Sequence, residues 1–87
     1  MKMDELTRLQ LLTEAIMEFR TLLRNGMEVE EIGQMVLEVI QQGNDKHLLE
    51  LVQEAYAQRD KSFAAIEILT EAMNYMHDKI DQLQKNR

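Results

Sequence analysis

Eighty-seven residues with a net charge of −6, no cysteine and no proline form a chain long enough for one domain with one modest core. The lack of cysteine excludes a disulfide framework and a thiolate metal site. No run approaches the ~18 apolar residues of a membrane span, and the start, MKMDELTRLQ, has no apolar signal core, so the sequence predicts a soluble cytoplasmic chain.

The first helix is expected over residues 4–24. Leu9, Leu12, Ile16, Phe19 and Leu23 recur at spacings of three and four, and Leu6, Ala15 and Leu22 widen that stripe. Asp4 suits its start, Arg20 and Arg24 suit the negative end of its dipole, and Asn25-Gly26 supplies a left-handed stop. A second helix is expected over 28–42, with Val29, Ile32, Val36 and Val39 or Ile40 as its stripe. Met35 and Leu37 stand on its shoulders, and Gly43 stands at its end. Asn44 or Asp45 then starts the third helix, 45–58, with Leu48, Leu51, Val52, Ala55 and Tyr56 facing inward.

After it, QRDKS interrupts the apolar pattern without glycine or proline. Asp60 or Ser62 can cap a fourth helix over 62–84, carrying Ile66, Leu69, Met73, Met76, Ile80 and Leu83. The three-four spacing nevertheless stays in phase across the gap, so an alternative runs the last two helices together as one of about 40 residues, ~60 Å long. The predicted fold is a small all-α bundle of four helices.

Charge is uneven along the chain. Residues 1–26 and 59–87 each balance, while residues 27–58 set Glu28, Glu30, Glu31, Glu38, Asp45, Glu50 and Glu54 against Lys46 alone. That segment opposes direct nucleic-acid binding, whose affinity comes from cations, and it permits a basic partner. The same acids oppose a helix-turn-helix reading of IQQGNDKHLLELVQEAY.

Chemistry is sparse. Ser62 is the lone serine, and neither His47 nor His77 lies near it in sequence. His47, Glu50 and Glu54 share a helical face, as do His77 and Asp81, but no Glu-x-x-His pair occurs. The expectation is a non-enzymatic protein without metal or cofactor.

Apolar surface is plentiful. Met17, Met27, Met35, Met73 and Met76 lie at or beside the stripes, and methionine suits adaptable binding surfaces. The second and fourth helices carry more apolar side chains than one core face needs, which predicts a homodimer and a protein partner. The expected contact set is Glu30, Glu31, Met35, Leu37, Glu38, Tyr75 and Met76, with Gly33 inside the second helix to allow another helix close approach. The function so predicted is that of a small regulator, inhibitor or chaperone. Two alternatives are an acidic mimic of nucleic acid, using Glu28, Glu31, Glu38, Glu50 and Glu54, and a purely structural oligomer.

Overall fold

Asp4 opens the first helix with extended backbone, its carboxylate accepting the Thr7 N–H at 2.7 Å. The computed structural model describes residues 4–43 and 45–85, which form α1 (Glu5–Arg24), α2 (Glu30–Gln41), α3 (Lys46–Ala57) and α4 (Ser62–Lys85), with no strand among the described residues. Every boundary lies within two residues of its predicted place.

Local chemistry explains the boundaries. At the end of α1, Gly26 takes φ +67°, its N–H reaches Leu23 O at 3.1 Å, and Met27 N–H reaches Leu22 O at 2.9 Å. This is the Schellman stop, and it needs a left-handed residue at position 26. Before α2, the Glu28 carboxylate accepts the Glu30 N–H, placing negative charge at the positive end of the helix. No basic residue lies in the last turn of α2. Arg8 of α1 reaches across instead and donates to Val39 O at 3.0 Å, with Gly43 making room for its guanidinium. Asp45 caps α3, accepting Leu48 N–H at 3.0 Å, whereas Asn44 lies outside the described residues.

The third and fourth helices are separate. The N–H of Arg59 turns back to Tyr56 O at 3.2 Å and that of Lys61 to Gln58 O at 2.8 Å, while Arg59 Nη1 also donates to Tyr56 O at 2.8 Å. The bundle measures 40 × 25 × 21 Å, too short for the ~60 Å rod of the fused alternative. Ser62 is the first residue of α4, and the Lys61 carbonyl accepts the N–H of Ala65.

Each helix backbone packs against two neighbours in the cycle α1–α2–α3–α4 and not against the diagonal one, among the described residues. Polar contacts fix the directions. Arg8 meets the end of α2, Gln34 meets Tyr56 late in α3, Asp45 meets Lys79 late in α4, and Arg20 meets Thr70 early in α4. Neighbours are therefore antiparallel, and the 25–29 and 58–61 connections lie at one end of the bundle.

Phe19, Ile16, Ile40, Leu48, Leu69, Met76, Val36 and Val52 are fully buried between the helices. Burial stabilises each by about 1.5–3 kcal/mol. On α4 the buried line is Ala65, Leu69, Ala72 and Met76: Leu69 and Met76 keep their predicted places, and Ala65 and Ala72 are buried where the spacing put Ile66 and Met73. The two alanines bring α4 close to its neighbours.

Gly33 is buried, and what occupies the space beside it is the ring of Tyr56. A methyl built on residue 33 would stand 2.5 Å from Tyr56 Cε1 and 3.4 Å from Phe19 Cζ. The predicted packing role thus involves a ring from α3 rather than another helix backbone. Gly33→Ala is expected to lower the unfolding free energy by about 1 kcal/mol, since overpacking costs about 1–3 kcal/mol and the gain in helix propensity is about 1. In a Tyr56→Ala background the sign should reverse, Gly33→Ala then stabilising by about 0.5–1 kcal/mol. Equal effects in the two backgrounds, read from urea denaturation, would remove Tyr56 as the cause.

Candidate docking groove

Two stripes with the same spacing face each other across the α1/α2 seam. On α1 they are Leu11, Ala15, Glu18 and Leu22; on the other side are Ile32, Met35 and Val39 of α2, with Glu28 just before that helix. Positions i, i+4, i+7 and i+11 share one helical face. Here that face borders the core instead of entering it.

Between them lies an apolar groove of 410 Å³, lined by Leu11, Leu12, Ala15, Met35, Val36 and Val39, with Arg8 and Gln42 at one end. Ala15 is too short to fill the space opposite Met35. Leu11 stays 49% exposed and Met35 46% exposed. A second depression shares Met35 with the groove and is lined by Leu22 and Ile32 with Glu18, Glu28 and Glu31. The lining offers apolar area and negative charge but no Ser, Thr, Cys or His to serve as a nucleophile or its base. Such a surface can bury apolar side chains and pair with cations.

The structure divides the predicted contact set. Met35 lines the groove, and Glu31 lines the depression beside it. Glu30 and Glu38 are exposed on α2 outside its lining, and Leu37 is half-buried against the core. Met76 is 0% exposed and belongs to the core, so it has no surface to present. Tyr75 is half-buried at the α3/α4 seam, away from α2. The α1 half of the groove is absent from the predicted set: Ala15 and Leu22 read as widening the core stripe, and Leu11 and Glu18 carry no assignment. The repeat at 11, 15, 18 and 22 was the available signal.

Tyr75 serves a polar lock at the start of α3. Its hydroxyl donates to Asp45, 2.8 Å from Oδ2 and 2.9 Å from Oδ1, and Lys79 Nζ pairs with Asp45 Oδ2 at 2.6 Å. The His47 ring stands edge-on to Tyr75 with centroids 4.7 Å apart. Burial alone pushes the Asp45 carboxyl up. The bonds from Lys79, Leu48 N–H and Tyr75 more than offset this and hold it below the ordinary 3.8. The bond to Asp45 raises Lys79 above 10.5 against the opposing effect of burial, and burial followed by the bond to Asp45 raises Tyr75 above 10.0. Among the described residues no group of three or more His, Cys, Asp or Glu side chains converges to hold a metal ion. No helix described is long and apolar enough to cross a membrane.

No known family model matches the chain, and no curated protein or solved structure matches it significantly.

The lock carries a signed pH dependence. A depressed carboxyl contributes stability that is present above its unfolded pKa and lost as pH falls through the folded one. Raised Lys79 and Tyr75 contribute stability that is present below their unfolded pKa values and lost as pH rises through the folded ones. Asp45→Asn keeps a cap acceptor but removes the charge. The stability gap between wild type and Asp45→Asn should therefore be widest between 3.8 and 10.0 and narrow on either side. A gap that stays flat from acid to alkaline pH in urea titrations would contradict the lock.

Proposed function

We propose that this chain is a non-enzymatic binding module that takes a basic amphipathic segment of another protein into the α1/α2 groove, as a small regulator, inhibitor or chaperone would. The observation behind this is an apolar groove ending at Met35 and adjoined there by a depression that Glu18 of α1 and Glu28 and Glu31 on the α2 side line. Helix-in-groove recognition uses an apolar face spaced at i, i+3, i+4 and i+7, and the channel runs along two helices with matching spacing. Methionine at that junction adapts to different side chains. Rim acids favour cations beside the apolar stripe and speed encounter.

Mimicry of nucleic acid fits less well. A row of phosphate surrogates needs one face, whereas Glu28 and Glu31 border α1 and Glu50 and Glu54 lie on α3, which α1's backbone does not touch. Most of the surplus apolar surface is also accounted for within one chain. Leu37, Ile66, Ile68, Met73, Tyr75 and Ile80 pack against the core, and among the described residues the large apolar side chains left exposed are Leu11, Met17, Met27, Met35 and Phe63.

A labelled synthetic helix of leucine and lysine, about five turns long, is a suitable probe. Met35→Lys should weaken its binding at least tenfold, about 1.4 kcal/mol. Glu31→Lys should weaken it mainly at low salt. Glu67→Lys, the same charge change on the exposed face of α4, should leave it unaltered. If Glu67→Lys and Met35→Lys act alike in fluorescence anisotropy, binding is diffuse attraction to an acidic protein and the groove assignment falls.

A further inference from the structure

Phe63 is 84% exposed, the most exposed of the large apolar side chains among the described residues, on the first turn of α4. Arg59 and Lys61 precede it on the turn, with Asp60 between them. Late α1 lies against early α4, as the 3.0 Å bond from Arg20 Nε to Thr70 Oγ1 shows, so exposed Arg24 comes to the same end of the bundle. That end thus carries an exposed aromatic ring together with Lys61 and Arg24, while the Arg59 guanidinium lies over the Tyr56 ring. On the α1/α2 side the groove shows the reverse, an apolar channel beside three acids.

Resting on the groove's role as a docking site, we propose that a second copy of this chain is an occupant of it, inserting Phe63 beside Met35 with Lys61 against Glu18 and Glu31. The two surfaces are complementary in charge. A Phe side chain buries 150–250 Å², and 410 Å³ of apolar groove has room for the ring. An acid-rimmed channel prefers a ring flanked by cations to a purely apolar one. Phe63 points outward from α4, and α4 does not pack against α2. Donor and acceptor are therefore different patches of the molecule. Two copies can exchange such contacts reciprocally, as in an isologous dimer, or pass them on head-to-tail in series. One ring and its flanking cations make a small interface, so association is weak and dynamic. A copy whose groove holds its neighbour's Phe63 is closed to other partners, which makes self-docking a concentration-dependent block on the groove.

Complementary variants test this. Phe63→Ser removes the donor and leaves the groove; Met35→Lys blocks the groove and leaves the donor. Circular dichroism should show both folded, since the two positions are exposed. In sedimentation velocity from roughly 10 μM to 1 mM, wild type should gain average mass with concentration, less so at high salt. Each variant alone should stay monomeric, and an equal mixture should give a one-to-one dimer and nothing larger. A monomeric wild type throughout the range would overturn self-docking, as would a mixture that stays monomeric. A Met35→Lys variant that still associates would overturn it too, placing the contact outside the groove. The leucine–lysine probe separates the two readings. If wild type is monomeric yet Phe63→Ser binds the probe through Met35, only self-docking fails; if that binding is absent as well, the groove reading fails with it.

Discussion

The Tyr56 ring lies against α2 because residue 33 has no side chain to hold it away. Three helices and a turn meet at that ring. Phe19 of α1 meets it edge-on at 6.4 Å between centroids, Gln34 of α2 donates to its hydroxyl at 3.4 Å, and the Arg59 guanidinium lies 4.2 Å above its centre. The last of these couples packing to topology. Arg59 covers the ring and also satisfies the Tyr56 carbonyl, so the chain leaves α3 where the ring is seated. A cation over an aromatic face contributes about 0.5–1 kcal/mol at an exposed site, and the guanidinium adds a second bond to a carbonyl that already accepts the Arg59 N–H. The glycine penalty in α2 is thereby offset by contacts that involve α1, α3 and the α3/α4 turn.

That arrangement also positions the groove. The α2/α3 seam is filled by an aromatic ring, while across the α1/α2 seam Met35 faces Ala15, and the space remains. The far end of the bundle is fixed by charges. Arg8 closes α2 through the Val39 carbonyl, and Asp45 caps α3 while holding Tyr75 and Lys79 of α4. Both grips join residues more than two dozen positions apart. They hold the ends of the two short helices, leaving the channel between α1 and α2 open along its length.

Helix limits were legible because they rest on local chemistry: Asp4 and Asp45 as caps, Asn25-Gly26 as a stop, and three-four spacing within each segment. The α3/α4 break was ambiguous for a physical reason. Arg59 and Ser62 fell on seam positions by spacing alone, and only the tertiary placement shows that the chain turns there and that Ala65 and Ala72 join Leu69 and Met76 in the buried line. Long-range pairing was not legible. Tyr75 reads as spare apolar surface until Asp45, thirty positions away, is seen to hold its hydroxyl. Met35 and Glu31 were readable as surface features, but the α1 wall mixes Leu11, Ala15, Glu18 and Leu22. Its function as a wall depends on how far α2 stands from it.

The binding account rests on Met35 being the methionine that meets a partner, with Met76 sealed in the core. Carbon-13 labelling of the methionine methyl groups tests this within one sample. As an amphipathic leucine–lysine helix is titrated in, the Met35 methyl resonance should move first and furthest, and that of Met76 should hold its position. Movement centred on Met17, with Met35 still, would place docking outside the α1/α2 groove and contradict the account.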